Sequence, residues 1–227
     1  MWMLENAFLI PLVPTISFVV ILFFGKKFIG ADRVHVVGIG ALGLVWILSA
    51  VAAFQWIQRV EDPPPEAVVK IEHHDDHGDA HAGDDHGDAH GGGHAGDGHG
   101  GGHSSPLIRP VISTFSQWWS NSGIDFAVGT FVDGQTVLLL MVVASISLLV
   151  HIYSTEYVKG DRRYVHYYAF LSLFTASMLF FVMAQNIVQL IVGWELVGVC
   201  SFALIGHWWE EKPNTDAALK ALSLIHI

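Results

Sequence analysis

The chain has 227 residues, of which 52% are hydrophobic and 14% charged, against roughly a quarter charged in soluble domains. That balance excludes an ordinary water-soluble globular domain and points to the lipid bilayer. The formal net charge of −10 leaves no excess of basic groups for nucleic acid, and it is misleading as a global figure, because most of the negative charge lies between Glu61 and Asp97.

Apolar segments near the ~20 residues that cross about 30 Å of hydrocarbon run over residues 7–24, 34–54, 136–153, 164–183 and 187–207. The first is read as a retained helix rather than a cleaved signal. It is preceded by Glu5 where a signal would carry Lys or Arg, and its basic pair Lys26 and Lys27 comes after the apolar run. The loop that follows holds Lys26, Lys27 and Arg33, and the loop between the third and fourth spans holds Lys159, Arg162 and Arg163. Cytoplasmic connections are enriched in such residues. Both loops are therefore expected inside, with the N-terminus, the long second loop and the Gln185-Asn186 break outside, and the segment from Trp208 to Lys220 inside.

Within the second loop, residues 73–103 repeat His, Asp, Gly and Ala in phrases such as "DDHGDAHGGGHAGDGHG". Too little of this is apolar to offset the entropy of ordering, so disorder is expected. The histidines His73, His74, His77, His81, His86, His90, His94, His99 and His103, with the carboxylates among them, are a ligand set for weak binding of Zn²⁺, Cu²⁺ or Ni²⁺. A solvated spacer takes precedence over that reading because no fixed ligand spacing appears. Ordered structure is expected again after the loop: "SQWWSNSGIDFAVGTFVDGQT" brings Trp118, Trp119, Phe126 and Phe131 to an interface on alternating, strand-like residues, and Asp133-Gly134 turns into the third span.

In the third span His151 follows Ser147 by one turn, near the cytoplasmic end. An interfacial side chain is the more ordinary reading, with a proton relay as the alternative. Ser172, Thr175 and Ser177 in the fourth span, and Gln185, Asn186 and Gln189 around the break, are explained by bonds to helix backbone or by solvation. Cys200 is the sole cysteine, which excludes an intrachain disulfide and reads as a small buried hydrophobe. His207 with Trp208 and Trp209 reads as an interfacial belt.

The fifth span, "LIVGWELVGVCSFALIG", poses the sharpest question. Glu195 stands in it with no Lys or Arg within ten residues on either side. A charge near a helix centre costs about 2.5–3.5 kcal/mol on insertion scales, so such a group faces a bundle interior, a partner or water. Gly198 and Gly206 share its helical face and Gly193 lies two residues before it, which admits a close neighbour. A carboxyl poised between desolvation, which raises its pKa, and a nearby lysine, which lowers it, can take and release protons. The alternative is a protonated carboxyl that serves as a structural hydrogen bond.

These residues carry a resemblance. "HIYSTEYVKGD", "FLSLFTASMLFFVMAQNIVQLIVGWELVGVCSFALIG" and "DAALKA", with "LIPLVP" in the first span and "VDGQTVLLLMVV" at the entry to the third, resemble the antiporter-like membrane subunit of proton-pumping NADH:quinone oxidoreductase, respiratory complex I, called L in bacteria and 5 in mitochondria. The resemblance covers most of the chain apart from the His-rich loop, and "GWELVGVCSFALIG" is its most specific element. It implies that Glu195 belongs to a central proton path and pairs with a lysine on a later helix. It makes His151 a candidate for proton movement, and Lys220 another, although Asp216 four residues earlier offers Lys220 an ordinary helix pair. It further implies that no redox cofactor sits on this chain, that NADH, FMN, iron–sulfur clusters and quinone are bound by other subunits, and that the partners are other membrane subunits of the complex and the lipid bilayer. The implied location is a bacterial inner (plasma) membrane, crossed several times.

Two departures shape the expectation. The family's subunit has well over a dozen helices, whereas this chain stops where the sixth begins, so a fragment of a longer subunit, inactive alone, is expected. After "DAALKA" the family runs through an aromatic to an Arg-x-Gly-Asp element, while this chain reads "LSLIHI"; those residues are expected not to be native, and His226 is given no role. The expected architecture is an all-α polytopic bundle. Residues 1–58 form two spans, 59–110 a disordered external loop, 111–135 an ordered external segment, 136–207 three spans with Glu195, and 208–227 a cytoplasmic loop with the start of a sixth helix. The alternatives are the homologous large subunit of a multisubunit sodium/proton antiporter or membrane-bound hydrogenase, and, from another class, a His-rich metal-binding membrane protein.

Overall fold

The computed structural model describes residues 1–30, 33–65, 67–68, 108–121 and 124–225. The nine histidines between His73 and His103, and His226, lie outside these residues, as do the side chains of Trp118, Trp119 and Phe126. In chain order the elements are α1 (Trp2–Glu5), α2 (Leu9–Phe24) with a π-helical turn (Gly25–Ile29), α3 (Val34–Glu61), β1 (Val111–Asn121), β2 (Ile124–Val132), α4 (Gly134–Tyr157), α5 (Tyr164–Val182), α6 (Ile187–Ile205) and α7 (Lys212–Ile225).

Among the described residues five helices, α2 to α6, are long and apolar enough to cross a membrane, and the chain is a multi-pass membrane protein of helical class. α3 continues to Glu61, beyond the end expected at residue 54, because "QWIQRVE" contains no helix breaker. Asp62 then precedes Pro63, which disfavours helical backbone at that point. At 28 residues, α3 is about 42 Å long at 1.5 Å per residue, more than the hydrocarbon thickness. α4 and α6 start on side-chain caps: Asp133 Oδ1 accepts from Thr136 N at 2.7 Å and Asn186 Oδ1 accepts from Gln189 N at 2.9 Å. Each satisfies a backbone donor that the helix itself leaves open.

The alternating stretch before α4 folds as an antiparallel hairpin, β1 on β2, with Val111 opposite Val132 and Asn121 opposite Ile124. It adds β structure that the all-helical reading did not include. The margins of the long loop are tied as well: Val68 bridges Ile108, and Arg109 N donates to Ala67 O at 2.8 Å. Order thus reaches inside both ends of the segment expected as disordered.

Packing places α5 at the axis of the bundle, with half of its most apolar stretch buried against 22% for α6. One apolar cluster gathers Leu4, Ile10, Leu42, Leu140, Leu179 and Met183 near the hairpin. A second gathers Ile21, Val34, Val158, Val165 and Tyr168 at the other end. Lipid is as apolar as leucine, so helix association depends on close packing. Gly193 supplies it on α6, where a Cβ would stand 2.9 Å from the Phe181 Cα, and Gly38 supplies it on α3, where a Cβ would stand 3.2 Å from the Tyr168 ring and 3.3 Å from His151. Gly25 abuts Val165, which puts the Lys26-Lys27 turn and the basic loop before α5 at one end of the bundle. The hairpin and the turn between α5 and α6 occupy the other.

Candidate functional site

Glu195 is half-buried in the middle of α6. Gly193, which touches the Phe181 backbone, marks the face of α6 packed on α5. Two residues further along, Glu195 lies about 200° around the helix at 3.6 residues per turn. One turn to either side of it, Ile191 and Val199 are 52% and 50% exposed. The carboxylate therefore sits on the side of α6 turned away from α5, and not in the middle of these five helices. Of the glycines expected beside it, Gly198 is buried and Gly206 meets Ala218 of α7, where a Cβ would stand 3.3 Å away.

His151 is fully buried. This corrects the interfacial placement: Tyr168 and Ser172 of α5 and the Gly38 stretch of α3 pack over the ring and cover it. Nδ1 lies 2.8 Å from Ser147 O, and since a carbonyl only accepts, Nδ1 carries the hydrogen. Nε2 lies 3.4 Å from Ser172 Oγ on α5. The Tyr168 hydroxyl donates to His151 O at 2.9 Å and its ring meets the imidazole edge-on. One turn deeper, Thr175 Oγ1 donates to Ser147 Oγ at 3.1 Å. Polar residues that are unremarkable singly are thus brought together in one seam between α4 and α5.

Lys220 is exposed on α7, and among the described residues no ion pair joins it to Asp216. Among the described residues no group of three or more His, Cys, Asp or Glu could hold a metal ion.

A polar clasp at the basic end was not read from the sequence. Asp161 Oδ2 accepts from Trp208 Nε1 at 2.8 Å and lies 3.3 Å from His207 Nε2, while its Oδ1 accepts from Arg163 N at 2.7 Å. The Arg163 guanidinium donates to His207 O, pairs with Glu210 and stands 5.1 Å from the centre of the Trp209 ring. Burial pushes the Asp161 carboxyl up, but hydrogen bonds from the Arg163 amide and the Trp208 indole, with the charge of His207, outweigh it and hold its pKa below the usual value. His207 is buried beneath Tyr167 rather than lying in an interfacial belt; Trp208 and Trp209 remain exposed. The available signal was that "GDRRY" and "GHWWEE" flank span ends on the same side.

At the opposite end an apolar cavity of about 370 Å³ opens among α2, the hairpin, α5 and α6, lined by residues such as Phe8, Leu12, Phe115, Phe180 and Val192. It holds no cluster of titratable groups. The polar groups that the spans offer are thus the Glu195 carboxyl on α6 and the imidazole and hydroxyl groups of the seam between α4 and α5.

Residues 118–168 match the family described as NADH-Ubiquinone oxidoreductase (complex I), chain 5 N-terminus. The chain is 42% identical over 104 residues to the chloroplastic NAD(P)H-quinone oxidoreductase subunit 5 of Physcomitrium patens, a match that covers 46% of this chain and 14% of that protein. It is 44% identical over 105 residues to NAD(P)H-quinone oxidoreductase chain 5 of Synechocystis sp., covering 46% of this chain and 15% of that protein. To NADH-quinone oxidoreductase subunit L of Neisseria meningitidis serogroup A it is 42% identical over 105 residues, covering 46% and 16%. The matched length is shorter than the stretch over which the motifs were read, and the chain spans about a sixth of these relatives or less. Over the part that these matches cover, the chain is similar to the N-terminal part of subunits named 5 or L of NAD(P)H-quinone and NADH-quinone oxidoreductases.

Proposed function

We propose that this chain contributes to a proton-translocating subunit of NADH:quinone oxidoreductase, with Glu195 as a carboxyl of its proton path. The observation that carries this reading is the position of Glu195: half-buried at mid-span on α6, on a face turned away from α5. A carboxylate held there is costly in lipid and suits a neighbouring helix that brings a cation or water. Electron transfer, with NADH, FMN, iron–sulfur clusters and quinone, takes place on other subunits. The chain's part is to convert an electrostatic or conformational change into proton movement beside other membrane subunits. The names of the relatives and the absence of a metal-ligand cluster from the described residues of the spans favour this over a sodium/proton antiporter subunit or a metal-binding membrane protein.

In this reading the basic end faces the cytoplasm of a bacterial cell, while the N-terminus, the hairpin and the His-rich loop lie outside the inner membrane. The loop is a solvated spacer with weak capacity for divalent metal. His151 and Lys220 are secondary candidates for proton movement.

The test is NADH-driven proton uptake and NADH oxidation by the intact complex in sealed vesicles, with Glu195→Gln against the native residue. Glutamine keeps shape and hydrogen bonding but removes the titratable proton. Collapse of proton uptake in an assembled complex supports the path. Native rates of both uptake and oxidation sink it, and make the carboxyl structural.

A further inference from the structure

We propose that the apolar cavity at the hairpin end is a lipid site: a slot for one acyl chain of an ester-linked phospholipid, whose ester carbonyl accepts a hydrogen bond from the Thr130 hydroxyl. The proposal needs only that the spans stand in a bilayer, and it is independent of any proton path.

The lining carries four polar side chains, Thr15, Thr130, Ser177 and Gln189, and three of them are already committed. Thr15 Oγ1 donates to Pro11 O at 2.7 Å, Ser177 Oγ donates to Leu173 O at 2.8 Å, and the Gln189 amide group exchanges two bonds with the Gly129 backbone. Thr130 of β2 differs. It lines the same cavity and is 4% exposed, yet among the described residues its Oγ1 has no hydrogen-bond partner. A buried hydroxyl left unsatisfied is costly and calls for a partner. Because the walls around it are otherwise apolar or committed, the partner comes with the occupant, and a carbonyl oxygen, which only accepts, takes the hydroxyl hydrogen.

Shape selects a chain. On α6 the cavity runs past Gln189, Val192 and Leu196, about 10 Å along the helix at 1.5 Å per residue, and on α2 it runs from Phe8 to Thr15. The slot is therefore elongated along the spans, the direction in which acyl chains lie. A helix with its side chains is about 10–12 Å across and takes on the order of 400–600 Å³ per turn, so a further helix does not fit into about 370 Å³. Leu12, Val192 and Leu196 are exposed, which opens the slot sideways to hydrocarbon, and an apolar space takes hydrocarbon rather than water. The depth suits a carbonyl. α6 has 19 residues, about 28 Å at 1.5 Å per residue, close to the ~30 Å of the hydrocarbon layer. Its start thus marks the edge of that layer, where the ester groups of lipids sit, and Thr130 is bridged to Ala184, three residues before that start. Lipid tails are as apolar as the walls, so the hydrophobic effect does not choose between slot and bilayer. Close packing and the hydrogen bond do.

The experiment places the intact complex, with the full-length subunit, in phosphatidylethanolamine vesicles that contain one of two photoactivatable analogues of that lipid. Both carry a diazirine on one chain; the diacyl form has ester carbonyls and the dialkyl ether form has none. After irradiation, peptide mass spectrometry reads the label on the slot residues. The expected result is that the diacyl form labels the native slot about two- to tenfold more than the dialkyl form, the scale of one neutral hydrogen bond. Thr130→Val keeps the shape without the hydroxyl and should bring diacyl labelling down to the dialkyl level, and Thr130→Ser should restore it. Val192→Trp fills the slot and should lower labelling by both forms. A native slot that takes no label is covered by another part of the subunit or by a partner, and this overturns the proposal. Equal labelling by the two forms, unchanged in Thr130→Val, is the mark of passing bilayer lipid and overturns it as well. Where a variant does not assemble, the two lipids on the native complex decide by themselves.

Discussion

Gln189 and Gly129 exchange two hydrogen bonds: the Gly129 amide donates to Gln189 Oε1 at 3.2 Å and Gln189 Nε2 donates to Gly129 O at 2.8 Å. The side-chain amide thus completes β2 as a neighbouring strand would, and locks the hairpin onto the first turn of α6. Asn186 Nδ2 on Ala127 O and the Phe131 amide on Met183 O at 3.1 Å extend the same seam. Gly129 is required there, because a Cβ would fall on the Gln185 side chain and the Ser113 carbonyl.

Removing this lock has a calculable cost. Gln189→Ala leaves a buried amide and a buried carbonyl without partners, a loss of about 1–3 kcal/mol. The expected outcome is a lower thermal midpoint of the solubilised subunit, with faster hydrogen exchange at Gly129 and Phe131 and little change in the basic-end loops. Unchanged exchange at Gly129 would mean that the hairpin is held by other contacts.

Close helix packing gives a second expectation. Gly193→Val drives a branched side chain into the Phe181 backbone, whose Cα lies 2.9 Å from the added Cβ, and overpacking of this kind costs about 1–3 kcal/mol. Gly40→Ala is the control, because a Cβ at Gly40 meets nothing within 4 Å and alanine gains up to about 1 kcal/mol over glycine inside a helix. Differential scanning of the purified subunit should move the two midpoints in opposite directions. A Gly193→Val variant as stable as the native chain would show that α6 is free to shift along α5.

Much of this was legible in the sequence. The five spans follow from hydropathy, because lipid forces every backbone group into helix over a fixed length, and the placement of the two basic loops at one end follows from alternation. Glu195 stood out because a carboxylate in the apolar run "LIVGWELVGVC" is costly in lipid, whether it serves a proton path or a structural hydrogen bond. His151 was legible as a candidate but not in its depth, since a single histidine near a span end reads the same whether it faces core or surface. Of the Asp161, Arg163, His207 and Trp208 clasp only the shared side of "GDRRY" and "GHWWEE" was legible, not the pairing. It joins two connections more than forty residues apart, and no local pattern records which loop tips meet. The hairpin lay between: its alternation was visible, while its pairing depended on Gln189 and Asn186 from a different element.

The clasp carries a pH dependence whose sign can be worked out. Asp161 has its pKa lowered in the folded chain. Its ionised form is thus favoured by folding, and its contribution to stability is fully present above the unfolded carboxyl pKa of about 4. That contribution is lost as pH falls through the lower folded value. Asp161→Asn should therefore lower the thermal midpoint at neutral pH and flatten its decline on the acid side of about pH 4. A variant whose acid limb is as steep as the native one would assign acid sensitivity to other carboxylates.

The orientation of the bundle can be tested through the chemistry of its one cysteine. Cys200 is the sole cysteine in the sequence and is fully buried, so the native chain should react little with a membrane-impermeant maleimide. Lys26 and Lys159 are exposed at the basic end, and Gln135 is exposed at the hairpin end. Lys and Arg favour the cytoplasmic side. In intact cells Gln135→Cys is therefore expected to label while Lys26→Cys and Lys159→Cys do not, and inverted vesicles should give the reverse. Labelling of Lys159→Cys from outside would overturn the orientation.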